Sequence, residues 1–174
     1  MRESGSNFWY LSSRIIELSD AKIWPIAKTE WRLIHVFHSD RPDACLCTHE
    51  PIIEICVLKN RHNGNEAWVG NCCVKRFLGL RSDLIFGCVK RVRGDISRAL
   101  NAATVNFLFK KRVFTKWEYD FLRDTSRKRR LSGRQHDKRV ELNRKALAYI
   151  EPKRRPVRPV HQRSKREELF AMFG

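Results

Sequence analysis

Cys45, Cys47 and His49 place three soft-metal ligands within five residues, and Cys72 and Cys73 add two thiols at the end of the same stretch, just before Val74-Lys75-Arg76-Phe77. Structural zinc is tetrahedral and takes thiolate sulfur or imidazole nitrogen from a closed set of four protein ligands. A Cys-x-Cys-x-His run can converge three of those on one ion from a single tight loop. The fourth must come from elsewhere. A helix N-terminus after a hairpin suits it, because the helix dipole favours the thiolate. Cys72 and Cys73 both stand there; Cys73 is preferred, since Cys73-Val74-x-x-Phe77 sets Phe77 one turn on, packing inward beside it. The competing reading of a free cysteine is a small buried hydrophobe. That reading suits Cys56, inside an apolar run, and Cys88, on an apolar helical face.

The elements that must position these ligands follow from local pattern. Ile52 to Leu58 is β-branched and apolar, hence a strand. Asn60-Arg61-His62-Asn63-Gly64-Asn65 supplies residues that tolerate positive φ, and Ala67-Trp68-Val69 returns as the second strand. Gly70-Asn71 then turns into a helix starting near Cys72, with Phe77, Leu78 and Leu80 on its buried side. Upstream, residues 29–37 read as a strand or short helix leading into the site. The aromatics around them (Phe8, Trp9, Tyr10, Trp24, Trp31 and Phe37) read as core rather than as base-stacking platforms, because large rings are the densest source of buried area.

Beyond residue 80 the period changes to that of helices. Leu84, Ile85, Cys88, Val89 and Val92 share one face. Asp95 is expected to cap a second helix carrying Ile96, Ala99, Leu100, Ala103, Phe107 and Leu108. Thr115-Lys116-Trp117-Glu118 is a capping box, opening a helix with Trp117, Phe121 and Leu122 inward. Ser132-Gly133-Arg134-Gln135 is a second, before a helix to about Ile150 with Val140, Asn143, Leu147 and Ile150 as its narrow stripe. Pro152, Pro156 and Pro159 among basic residues make 151–163 a disordered linker. Ser164-Lys165-Arg166-Glu167 starts a terminal apolar turn. The fold class expected is α+β: a zinc-stapled β-hairpin plus helix in 1–80, a basic helical region in 81–150, the Pro/Arg-rich linker in 151–163, and a short terminal helix in 164–174.

Charge bounds the partner. The 174 residues carry 36 Lys and Arg against 19 Asp and Glu, a formal +17 with a pI near 10.2. A chain that basic repels itself without a polyanionic partner. Residues 127–166 hold sixteen cations and three acids, +13 of the total. An ordinary solvated face mixes signs, and this one barely does. The candidate phosphate contacts are Lys75, Arg76, Arg91, Arg93, Arg127, Lys128, Arg129, Arg130, Arg134, Lys138, Arg139, Arg144, Lys145, Lys153, Arg154 and Arg155, binding DNA or RNA by counterion release, largely blind to base sequence. No apolar run reaches the roughly 20 residues that span a bilayer, and the basic arm has no apolar face for a membrane surface. The N-terminus lacks a basic start followed by an apolar core, so a reducing compartment is expected, and six cysteines there are thiols or metal ligands rather than disulfides.

The ligand block resembles a zinc-binding module of small phage and prophage proteins, patterned Cys-x-Cys-Gly-His, apolar strand, Asn with a Gly turn, then Val-Gly-x-x-Cys-Val-x-x-Phe. Here the pattern stands as Cys45-Leu46-Cys47-Thr48-His49, Ile52 to Leu58, Asn60 with Gly64, and Val69-Gly70-Asn71-Cys72-Cys73-Val74-Lys75-Arg76-Phe77, covering about residues 28–78. Thr48 replaces the family's glycine. The resemblance implies Cys45, Cys47, His49 and Cys73 as ligands of a structural Zn²⁺, a treble-clef-like knuckle, hairpin and helix with ligands split three and one, and nucleic-acid biology in a bacterial cytoplasm or nucleoid. It implies no activity.

No His-Glu-x-x-His, glycine-rich phosphate loop or paired carboxylates accompany the ligands, so no catalytic residue is assigned and a binding protein is expected. One alternative is a regulator that docks on a protein such as RNA polymerase or a replication factor, through Leu169, Phe170, Met172 and Phe173. A second is a treble-clef metal-dependent nuclease, with His62 or His38 as base near Asn60 and Asn63.

Overall fold

Alternating β-branched and aromatic residues draw the middle of the first eighty residues into an antiparallel sheet, and helical periodicity takes over after it. The computed structural model describes residues 3–151 and 156–162, with side chains from Asn7 onward. The protein is α+β, with seven α-helices and one three-stranded antiparallel sheet among the described residues. It divides into two units. One comprises residues 1–80 with 154–174, the other residues 81–153.

In the first unit, α1 (Glu3–Glu17) and a short α2 (Trp24–Ala27) precede β1 (Trp31–Asp43), β2 (Ile52–Asn60), β3 (Glu66–Gly70) and α3 (Asn71–Leu78). The strands lie in the order β1-β2-β3. Register places Phe37 opposite Ile55 and Val57 opposite Trp68, so the two-residue period puts all four on one face, where they form a buried cluster. Phe37 and Trp68 meet edge to face, centroids 5.1 Å apart. Central β2 is buried continuously from Ile55 to Leu58, as a strand covered on both faces must be. The helix α1 is not among the elements expected from the sequence. Its Leu11 and Ile15 are fully buried, four residues apart on one helical face.

The expected β2–β3 turn forms, and asparagines build it. Asn60 Oδ1 accepts from the backbone N–H groups of His62 and Asn63, and Asn63 Oδ1 accepts from that of Asn65. Gly64 takes the positive φ, +76°. Asn60 is itself buried, and its Nδ2 donates to Glu30 at 2.6 Å. Glu30 also accepts from the amides of Asp20 and Ala21, which ties the chain before β1 to the hairpin. Burial pushes the Glu30 carboxyl up, but these three donors outweigh it and hold the group below the usual carboxylate range.

Aromatic residues divide between core and surface. Trp31 is buried with its indole N–H on Ser19, and Trp24 sits between Phe8 and Phe77. Trp9 (63% exposed) and Tyr10 lie on the surface, against the core reading. Leu80, past the left-handed Gly79 that ends α3, is exposed as well.

The stretch 156–162, expected to belong to an unpacked linker, is placed against this first unit. Gln162 spans the backbone of Trp68, accepting from its N–H and donating to its C=O. An amide side chain thereby satisfies the outer edge of β3, where no fourth strand pairs. Arg158 forms an ion pair with the buried Asp43 at 3.0 Å and donates to the Ala44 carbonyl. Residues 152–155 and 163–174 lie outside the described residues, and with them Lys153, Arg154, Arg155, the Ser164-Lys165-Arg166-Glu167 turn start and the terminal apolar peptide.

The second unit comprises α4 (Ser82–Gly94), α5 (Ala102–Lys110), α6 (Lys116–Thr125) and α7 (Gly133–Ile150). Both capping boxes form at Thr115–Glu118 and Ser132–Gln135. Asp95 does not open a helix. Its carboxylate accepts from the N–H and Oγ of Ser97, holding a turn, and α5 begins only after Asn101, whose side chain accepts from the Thr104 amide. Two faces are rotated from expectation. Trp117 is 60% exposed, stacked on Phe121. In α7 the buried set is Arg139, Leu142, Asn143, Ala146 and Ile150. Asn143 is fully buried because Nδ2 donates to the carbonyls of Ile96 and Arg98 at 2.6 and 2.7 Å, which fastens the loop between α4 and α5.

Candidate metal centre and basic surface

The loop between β1 and β2 is a tight knuckle. The Cys45 amide donates to the His49 carbonyl and the Thr48 amide to the Cys45 carbonyl, both at 2.9 Å, so five residues close on themselves. Thr48 takes φ +70°, the left-handed conformation that a glycine adopts without strain. The Leu46 amide, donating to the Trp68 carbonyl at 3.0 Å, pins the knuckle to β3. Gly70, at the end of β3, stands against Ile52, whose Cγ2 would lie 3.3 Å from an added Cβ, and its N–H donates to Cys45 Sγ at 3.2 Å. α3 starts at the next residue.

This placement decides between the two thiols of α3. Successive helical residues point about 100° apart. Cys73 lies on the same side as buried Val74 and Phe77 and turns its sulfur toward the knuckle, whereas Cys72 is exposed. Cys45, Cys47 and Cys73 bring their sulfurs within 4.8 Å of one another, and the Cys73 thiol donates to Cys47 Sγ at 3.3 Å. Sulfurs bound tetrahedrally at ~2.3 Å from an ion would stand about 3.8 Å apart, so the donor set fits a thiolate-binding metal.

The electrostatics point to the same use. Cys47 is held down to about 2, first by the hydrogen bonds from the Cys45 and Cys73 thiols and further by the His49 backbone amide. Cys45 is pushed up to about 11, chiefly by its hydrogen bond to Cys47, and Cys73 is raised by both neighbours and by burial. Cys47 is thus the most readily ionised sulfur of the three, accepting from two thiols. A divalent cation bound by all three would displace the two remaining protons.

His49, the expected third knuckle ligand, is not within that sulfur cluster. Its backbone is engaged in the knuckle, and its exposed side chain lines the same 460 Å³ cavity as Cys45, Cys47 and Cys73, with Glu54, Asn71 and Arg76. Cys56 and Cys88 are buried apart from the cluster. Of the residues of the nuclease alternative, His62, Asn60 and Asn63 share the β2–β3 turn, and His38 stands apart from them. Register puts His38 opposite Glu54, at the far end of β1–β2 from Asn60, while His62 follows Asn60 in the turn and faces Asp20 at 3.9 Å. Asn60 and Asn63 are occupied in forming that turn.

The candidate phosphate contacts separate into two groups. Lys75, Arg76, Arg91, Arg127, Lys128, Arg129, Arg130, Arg134 and Arg144 are exposed. Arg127 to Arg130 form an unbroken run between α6 and α7, with no ion pair among the described residues. The second group is engaged internally. Arg93 pairs with Glu151, Lys138 with Glu141, and Lys145 with Glu118. Arg139 is only 7% exposed, and its Nη2 donates to the Thr125 carbonyl at the C-terminus of α6, where a cation suits the helix dipole. Burial without a counter-ion lowers its pKa. Arg139 thus caps a helix rather than facing a ligand, a role that helix period alone does not reveal.

No helix among the described residues is long and apolar enough to cross a membrane. Compared with known protein-family models, curated proteins and solved structures, the chain matches none.

Proposed function

We propose that the protein binds nucleic acid through its helical unit and that a structural Zn²⁺, held by Cys45, Cys47, Cys73 and His49, fixes the knuckle to the hairpin and α3 in the other. The observation that carries the binding reading is the run Arg127-Lys128-Arg129-Arg130, exposed as four consecutive cations with no acidic partner among the described residues. Uncompensated exposed charge at that density repels itself, and a phosphate backbone relieves the repulsion while releasing its own counterions. Support for zinc is the three-sulfur cluster, and rotation of the exposed His49 side chain would complete it. The bound metal would supply a rigid cross-link, with no reaction at the ion.

Fluorescence anisotropy of a labelled oligonucleotide against salt tests the binding. Log affinity should fall linearly with log salt, and replacing all four cations of the run by alanine should lower the slope magnitude by about 3 to 4. An unchanged slope, or no binding at low salt, overturns the reading.

A further inference from the structure

A cleft of 730 Å³ lies within the helical unit, lined by Arg91 of α4, Arg123 of α6 and Arg127 just beyond α6, together with Asn101 and Ala102 at the start of α5. We propose that this cleft seats one phosphate group of a bound nucleic-acid strand; the proposal rests on the nucleic-acid reading above. Three arginines converge here against a single lining acid, Asp124, so the cleft carries a surplus of positive charge in a concave site, where field lines concentrate. Arg91 and Arg127 are exposed and enter no ion pair among the described residues.

Arg123 is already oriented. Its Nη1 donates to the Tyr119 hydroxyl at 3.3 Å and its guanidinium stands 5.5 Å from the centre of that ring, while the hydroxyl donates to Asn106 Oδ1 at 2.9 Å. A guanidinium held by a stacked, hydrogen-bonded ring loses less freedom on meeting an anion than one on a free chain. Its planar fork matches two phosphate oxygens, which a lysine cannot do. The Asn101 side chain is taken up by capping α5 and by donating to the Leu84 carbonyl, which fixes that wall of the cleft. A single arginine in the last turn of a helix resembles any surface cation, so sequence alone does not single out Arg123. Only the meeting of α4, α5 and α6 sets it beside the other two.

The test uses the full-length protein in two arms. Amide NMR follows Asn101, Ala102 and Arg127 during titration with inorganic pyrophosphate, and anisotropy follows a twelve-nucleotide single strand and the corresponding duplex. The cleft variant is Arg91→Gln with Arg123→Gln; the control is Arg129→Gln with Arg130→Gln, which removes the same charge outside the cleft. The expected result is a saturable pyrophosphate shift at those amides, lost in the cleft variant and kept in the control. Oligonucleotide affinity should fall about tenfold further in the cleft variant than in the control, as bidentate contacts exceed simple screening. Equal loss on single strand and duplex identifies a backbone phosphate shared by both; a loss confined to single strand identifies an unpaired nucleotide. Equal weakening by cleft and control variants, with no local pyrophosphate shift, overturns the cleft while leaving nucleic-acid binding in place. If the wild-type protein binds no oligonucleotide, the broader reading fails. The pyrophosphate titration then judges the cleft alone, saturation supporting it as a phosphate site and silence overturning it.

Discussion

The two units solve the same problem with different means. The sheet unit carries sixteen cations against eleven acids and gathers three thiols at one corner; the helical unit carries twenty cations against eight acids and contains one cysteine, Cys88, which is buried and accepts from the Asn101 amide. The sheet unit spends its buried polar groups on fixing turns: Glu30 and Asn60 brace the β2–β3 end, and Asp43 anchors Arg158. The helical unit spends them on joining helices, with Arg139 capping α6 and Asn143 holding the α4–α5 loop. A metal at the thiol corner would offset a small core, because such a cross-link adds stability that apolar area does not supply. A unit with a net +12 must instead rely on caps and buried amides, because its excess charge costs stability. The lesson is a difference of means: one unit gathers thiols and braces its turns, while the other concentrates charge and joins its helices.

That contrast breaks first at the proposed metal site. Stripping the ion with a strong chelator, or making Cys73→Ser, should abolish bound zinc by elemental analysis and collapse the near-ultraviolet signal of Trp31 and Trp68. The loss can approach the ~10 kcal/mol scale of small zinc modules. Far-ultraviolet helicity of α4 to α7 should persist. Simultaneous loss of both signals would mean the units are not separable. Cys72→Ser should leave the zinc content unchanged, because that thiol faces solvent.

The next effect belongs to the helical unit. Asn143→Ala removes both donors to the Ile96 and Arg98 carbonyls and should cost about 2–3 kcal/mol of its stability, since two acceptors lose their partners and a cavity remains. Chemical denaturation resolves this, and the zinc content should not move. A cost near zero would remove Asn143 from its bracing role.

Smaller still is acid sensitivity, which both units share. Glu118, like Glu30, is pushed up by burial but lowered more by its donors, here the Thr115 amide and Lys145. A carboxyl depressed in the folded state stabilises it above its unfolded pKa, near 4.5, and that contribution is lost as pH falls through the lower folded value. Melting temperature should therefore drop below about pH 4.5, and Glu118→Gln should flatten that part of the profile. An unaltered profile in the variant would assign the acid limb to other groups. The least effect is at the knuckle. Thr48→Gly relieves a β-branched residue at positive φ, offset in part by the greater freedom of glycine in the unfolded chain, for a gain of up to about 1 kcal/mol in the metal-bound protein. Destabilisation instead would show that the Thr48 side chain makes a contact worth more than the strain.

Much of the hairpin was legible before the structure. β-branched Ile52 to Leu58, the asparagine and glycine turn, and the boxes at Thr115 and Ser132 act through neighbours within four residues, and each forms as read. Failures concentrate where a face or a partner matters. Asp95 lost to Asn101 as a cap because Asn143, nearly fifty residues on, holds the intervening loop open. Trp117 turned outward and α7 rotated its stripe because burial follows the neighbouring helices, which periodicity does not identify. The stretch 156–162 read as linker from its prolines, yet Gln162 finds an open strand edge, which no proline count foretells.

By itself, then, the sequence determined the spacing that lets Cys45 and Cys47 share a knuckle, the local caps and turns, and the imbalance that loads the second half with positive charge. These depend on covalent proximity and composition. Tertiary structure alone decided that Cys73 rather than Cys72 meets that knuckle, that Arg139 turns inward to cap α6, and that Arg91, Arg123 and Arg127 share a cleft. Each of those outcomes depends on which side of a helix its neighbours cover, and that is set by packing between segments far apart in the chain.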